Sequence, residues 1–497
     1  MTFFNYTLLN NYNGDFMKFY IFMIIFTYFV VFDHNLINAN NIIEGLEIYN
    51  MQSSDKYLVI EYKKNINDKF YHYVSLYDSE KAKLIDIYND DGELINDNMY
   101  FPSISKDGRY VVFTSRASNI IPETMLKCYD VYEGVNKICN NVYIYDTLHK
   151  KFFIVKYNGN MLNGDSYVAK ISGNGNYIVF ESIASNLINA NHDCSDLNGI
   201  KMCINIYKYN FLNDNIQLIS TGLDGSGSNR NSISPTIDYE GRYVTYQSNS
   251  SNIVQMSSEY NYCINTYTSL SEPCTNIYLV DTLKLTTKII SKGVDYVLNS
   301  HSINAIISLN GMFVAYESYA TNIFETVNYK KHIILYDLNK NINKLITVSN
   351  NVLNNRDNHL ESISYDGKYI LYRTASTNLN DNQNIMEIYV CNTTNFKTSI
   401  IVKNYHDVLL GTMQNNNVYF YNDDMIVSEN MADIQPPQIL ENQSIYVLKS
   451  DFINVNNKIS VIDNLSDKSN IQILDLLNPP LKHLLVPSKM IYFQIHQ

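Results

Sequence analysis

The chain has 497 residues, 45% of them hydrophobic, with 43 tyrosines and no tryptophan, a composition that suits many short β-strands around an ample core. Its 49 acidic and 37 basic side chains give a net charge of -12. No run of Lys or Arg forms a stripe able to track phosphates, which excludes nucleic acid as the expected partner.

Met17 and Lys18 precede a 14-residue apolar run, FYIFMIIFTYFVVF at 19–32, and a polar stretch reaching the small residue Ala39. The run is short of the roughly 20 residues that span a bilayer. A basic residue ahead and a small residue behind give it the shape of a secretory signal peptide over 1–39. Met17 makes the better start, because 1–16 carry no positive charge. A signal anchor is the competing reading; with cleavage, no transmembrane segment is expected in the mature chain.

From 40 to 465 the chain repeats. DGRYVVFTSRASN at 107–119 returns as GNYIVFESIASN at 175–186, GRYVTYQSNSSN at 241–252, GMFVAYESYATN at 311–322 and GKYILYRTASTN at 367–378. The landmark glycines, Gly108, Gly175, Gly241, Gly311 and Gly367, are 67, 66, 70 and 56 residues apart. After each phrase and a variable connection comes a strand, a polar turn and a second strand, as in NIYLVDTLKLTTKIIS at 276–291, which predicts a hairpin. Connectors rich in Gly, Asn, Asp and Ser then lead into one more short strand. Weaker copies at 55–87 and 416–461 flank the five. The period fits one four-stranded antiparallel sheet per unit, and sheets repeated in this way bury their faces on one another and close into a ring. The expected fold is all-β, a β-propeller of seven blades with six as the alternative. The tail at 466–497 is a candidate for closing the ring.

Six of the seven cysteines fall in pairs, Cys128/Cys139, Cys194/Cys203 and Cys263/Cys274. The second of each pair stands seven residues before the landmark Asp146, Asn210 or Asp281. This placement predicts three disulfides within repeats, in an oxidising compartment. Spacings of 11 and 9, with no recurring histidine pair beside them, differ from zinc knuckles. Cys391 aligns with Tyr145, Tyr209, Val280 and Tyr336 and reads as a buried small hydrophobe. The sequons at Asn249, Asn392, Asn442 and Asn464 are candidate glycosylation sites for a secreted chain.

FPSISKDGRYVVFTSRASN and SPTIDYEGRYVTYQSNSSN, followed by NIYLVDTLKLTTKIIS, resemble the TolB-like β-propeller repeats of periplasmic and secreted proteins over residues 45–462. The resemblance implies a propeller and leaves the function open, since the matching residues make turns and strands. Relatives that are serine peptidases carry an added hydrolase domain. This chain has no GxSxG elbow, and about 36 residues after Val461 are too few for such a domain. The aspartate turn of sialidase-type propellers ends in tryptophan, which is absent here.

No catalytic residue and no cofactor is expected, a structural Ca²⁺ aside; Asp193, Asp196 and Asn198 are weak oxygen ligands for one. The reading that follows is a secreted or surface-exposed scaffold that binds a protein or other macromolecule. Its binding surface would be the loops at 120–141, 187–204 and 253–275, which occupy one repeat position and therefore one face. The alternative is an enzyme, or a binder of metal, small molecule or glycan, with its site in the axial channel.

Overall fold

The computed structural model describes residues 46–430 apart from 79–80, 82, 122–125, 131–134, 189–202, 256–261, 265–270, 294–297, 325–328, 350–351, 378–385, 403–409, 415–416 and 423–424, and beyond 430 four strands. The predicted signal segment lies outside the described residues. Among these residues there is no helix, and hence none long and apolar enough to cross a membrane.

Six four-stranded antiparallel sheets follow one another along the chain. Blade 1 comprises Ile48–Ser53, Tyr57–Ile66, Lys69–Asp78 and Lys83–Asp86. Blade 2 has Met99–Ile104, Tyr110–Ser115, Asn141–Asp146 and Lys151–Ile154, and blade 3 has Ser166–Ile171, Tyr177–Ser182, Asn205–Asn210 and Asn215–Leu218. Blade 4 has Ser232–Ile237, Tyr243–Ser248, Asn276–Asp281 and Thr286–Ile289. Blade 5 has Ser302–Ile307, Phe313–Ser318, His332–Asp337 and Ile342–Leu345, and blade 6 has Asn358–Ile363, Tyr369–Thr374, Glu387–Asn392 and Lys397–Val402. A further sheet of three described strands, Leu410–Gln414, Asn417–Asn422 and Met425–Asn430, comes next.

The first strand of each blade lies against the first strand of the next, so these strands surround the axis of a β-propeller. Leu410–Gln414 lies against the first strands of both blade 6 and blade 1, and the three-stranded sheet therefore stands between the last complete blade and the first. Ser53 Oγ donates to the Met413 carbonyl at 2.7 Å and lies 3.2 Å from Thr412 Oγ1. The six four-stranded blades match the smaller of the two expected numbers, and the three-stranded sheet fills the remaining place in the ring. The second half of the weaker copy expected at 416–461 lies, up to 457, outside the described residues; Lys458–Leu465 pairs with Lys468–Asp475. Tyr492–Phe493 pairs with Leu484–Leu485.

The tyrosine content has a structural use. The fourth residue of the second strand faces the third residue of the third strand, and aromatic pairs fill that place: Phe113 with Tyr143, Phe180 with Tyr207, Tyr246 with Tyr278 and Tyr372 with Tyr389. Their ring centroids are 5.3 to 5.8 Å apart, within the range of favourable stacking. Each landmark glycine sits in the first turn at φ between 70° and 76°, where a side chain is strained. The sequence signal was thus a backbone requirement repeated five times.

Candidate functional site

In a ring of four-stranded antiparallel blades, the first-to-second and third-to-fourth connections emerge at one end. The second-to-third and fourth-to-first connections emerge at the other. The first end is built of tight turns that bond to one another around the ring: Asp55 N to Lys106 O, Lys106 N to Gly173 O, Asn174 N to Tyr239 O, Tyr239 N to Leu309 O and Asn310 N to Tyr365 O. Tyr239 of blade 4 packs edge-on to Tyr365 of blade 6 at 6.2 Å, and Lys106 of blade 2 lies over the Tyr365 ring at 5.4 Å. These blades are not neighbours, so the three side chains meet over the axis and cover it. Gly173 makes room for the cover, since a Cβ there would stand 2.3 Å from the Tyr239 ring.

The opposite, loop end carries the longer connections. Here the Ser/Thr-Asn tails of the repeat phrase acquire partners that sequence reading missed. Three residues ahead of the first strand of blades 2 to 6 stands an asparagine: Asn96, Asn163, Asn229, Asn299 and Asn355. Its Nδ2 donates to Ser118, Ser185, Ser251, Thr321 and Thr377 respectively at 2.8 to 2.9 Å. Its Oδ1 accepts the backbone N–H of the same residue at 2.8 to 3.1 Å. The tail therefore pins the incoming connection of each blade to the loop that leaves its second strand. The recurring asparagine ahead of each first strand was the available signal, hidden in an Asn-rich chain.

A second set of bonds joins neighbouring blades beside the axis. The fifth residue of the second strand is Glu61, Thr114, Glu181, Gln247, Glu317 or Arg373. Four of these accept the N–H of the third residue of the next blade's first strand: Glu61 from Phe101 at 3.0 Å, and Glu181 from Ser234, Gln247 from Asn304 and Glu317 from Leu360, each at 2.7 Å. Phe101, Ser234 and Asn304 have φ of 54° to 55° at bulges that turn the N–H out of the ladder. The acidic members differ in environment. Glu61 lies 2.8 Å from His72 Nδ1, and Glu317 pairs with Lys331 at 2.8 Å. Burial pushes the Glu61 carboxyl up, against the pull of His72. Burial also raises the Glu181 carboxyl, to about 7, opposed only by its bond from Ser234.

Two of the three expected disulfides lie within the described residues. Cys128–Cys139 and Cys263–Cys274 have Cα atoms 4.9 and 5.0 Å apart and the same separation of 11 residues. Each braces a hairpin of its own, Lys127–Asp130 with Val135–Ile138 and Tyr262–Ile264 with Ser271–Pro273, which adds no strand to its blade. Both hairpins leave from the second-to-third connection and so stand on the loop end. Arg116 anchors the base of the first by donating to the Ile138 carbonyl and to Asp165 of blade 3, both at 2.7 Å. Leu126 at the base, Val135 further along the same hairpin and Tyr262 of the second hairpin are exposed.

Cys203 is disulfide-bonded, whereas Cys194, Asp193, Asp196 and Asn198 lie outside the described residues, as does Asn442. Asn249 and Asn392 are half-buried, and Asn464 falls in the strand Lys458–Leu465. Cys391 is fully buried, and burial pushes its thiol up to about 11, which makes it an inert core residue. Among the described residues no three His, Cys, Asp or Glu side chains converge to hold a metal ion.

No protein-family model and no curated protein matches the chain. Among solved structures it is similar to TolB from Acinetobacter baumannii, with 13% identity and a TM-score of 0.35 over 65% of this chain and 58% of that one. The chain thus spans little more than half the length of that protein. It is also similar to an oligogalacturonate lyase from Vibrio parahaemolyticus, with 11% identity and a TM-score of 0.47 over 77% and 88% of the two chains. The β-propeller domain of the Trilobed protease from Pyrococcus furiosus gives 9% identity and a TM-score of 0.45 over 79% and 99%. These are propellers of differing activity, and none carries an activity to this chain.

Proposed function

We propose that the chain is an exported, non-catalytic scaffold that binds a protein partner through the disulfide-braced hairpins of its loop end. The observation that carries this reading is the pair of hairpins, on blades 2 and 4, that stand off the sheets at one repeat position with apolar side chains exposed. A covalently closed hairpin loses little further freedom on binding, which favours its use as a recognition element. Disulfides persist in oxidising compartments, which supports export.

The test is capture of partners from the extracellular medium by the oxidised protein and by a variant in which 122–138 are replaced with a short Gly-Asn linker and Cys139 with Ser. Blade 1 joins its second and third strands through Asn67 and Asp68 alone, so a blade closes without the hairpin and the variant keeps its fold. A partner lost on trimming supports the reading. A partner set indifferent to trimming refutes it for this hairpin.

A further inference from the structure

Lys170 is the fifth residue of the first strand of blade 3. At that place blades 1, 2 and 4 carry a side-chain oxygen that braces the next blade, whereas blade 5 carries Ile306. Gln52 Oε1 accepts Ile104 N at 3.3 Å, Ser103 Oγ accepts Ile171 N at 3.2 Å and Thr236 Oγ1 accepts Ile307 N at 3.2 Å. A lysine has no acceptor, so blade 3 gives up the brace to Ile237. Among the described residues the Lys170 ammonium makes no hydrogen bond or ion pair. The charge that acts on it is Glu61 of blade 1, on the far side of blade 2. Lys170 is partly buried on an innermost strand, which places its side chain beside the axis. Desolvation there pulls its pKa below the ordinary lysine value, and Glu61 opposes the shift.

An ammonium kept without a partner in a confined lumen is costly, and the repeat supplies cheaper residues at this place. The single ammonium limits what fits: the desolvation penalty of an anion grows with the square of its charge, whereas its attraction to one ammonium grows only in proportion, so a monoanionic carboxylate is favoured over a dianion. The turn end is covered by Lys106, Tyr239 and Tyr365, which leaves the loop end as the entrance. We propose that Lys170 is the anchor of a carboxylate-binding site in the axial channel, taking a small monoanionic acid or a single carboxylate presented by a partner. This site is separate from the disulfide hairpins, and trimming them leaves it in place, so the two readings fail independently.

The experiment is ligand-observed NMR on the full oxidised chain with acetate, inorganic phosphate and a capped peptide bearing one aspartate, repeated on Lys170→Met and Lys170→Ser. Acetate is expected to bind saturably, phosphate at least about tenfold more weakly, and both variants to lose about tenfold or more in acetate affinity. A peptide that binds more tightly than acetate identifies a partner's carboxylate as the ligand, and the reverse order identifies a free acid. Lys170→Ser restores the residue of blade 2, so its Tm should rise above that of the parent, as expected when a site is kept at the expense of stability. Acetate binding unchanged in both variants, no binding of any carboxylate probe, or a Lys170→Ser protein less stable than the parent overturns the proposal.

Discussion

At the scale of single residues, the fifth place of the second strand separates geometry from charge. Gln247 and Glu181 accept the same backbone N–H of the following blade at the same 2.7 Å, so the clamp needs an oxygen and not an ionised group. Among the described residues Glu181 has no basic partner such as His72 or Lys331 gives its counterparts, and burial raises its carboxyl from 4.5 to about 7. A raised carboxyl holds its proton more tightly in the folded state. Its contribution is full below the unfolded value of 4.5 and is lost as pH rises through 7, at a cost on the order of 3 kcal/mol. Glu181→Gln keeps the acceptor for Ser234 and removes the titration. The variant should match the parent in Tm near pH 4 and exceed it increasingly up to about pH 7, beyond which the difference levels off. Asp238, also raised by burial, to about 6, titrates in both proteins and cancels in the comparison. A difference in Tm that does not change with pH contradicts the assignment.

At the scale of elements, strands and turns were legible because their signals are local: a glycine at positive φ, a six-residue apolar run and a polar hairpin turn. The placement of Cys128, Cys139, Cys263 and Cys274 was legible for the same reason, each pair lying within one loop. The blade pins were not, because Asn163 and Ser185 are 22 residues apart and meet only when the first two strands pair. The clamps bridge 40 to 57 residues, and their place in the repeat varies among Glu, Gln, Thr and Arg. Lys170 was passed over because a lone lysine in a strand carries no motif; its meaning comes from the oxygens that Ser103 and Thr236 place where it stands. The pin makes a separate prediction. Asn163→Ala removes the bonds to Ser185 and should cost about 1 to 2 kcal/mol in denaturant unfolding. Hydrogen exchange should speed up at 183–187 while Tyr177–Ser182 stays protected. Uniform loss of protection across blade 3 would instead make the pin part of the sheet's own stability.

At the scale of the whole molecule, closure depends on how the ends of the ring meet. Each of the six blades takes its four strands from one stretch of chain, interrupted in blades 2 and 4 only by the disulfide hairpins, so none of the six is shared between the two ends of the chain. The junction between Leu410–Gln414 and Ile48–Ser53 therefore rests on packing and on the bonds from Ser53 to Met413 and Thr412. A ring held in this way loses its support on two sides if the seventh sheet is removed, because blade 1 and blade 6 each lose a covered face. A chain ended after Val402 should keep slow hydrogen exchange in the second and third strands of blades 3 and 4, which remain flanked by sheets. Protection should fall in Ile48–Ser53 and Asn358–Ile363, and unfolding should begin from these two blades. If Ile48–Ser53 stays as protected as in the full chain, the blades stand without closure and the three-stranded sheet is an appendage. Loss confined to blades 1 and 6 would identify it as the piece that completes the ring.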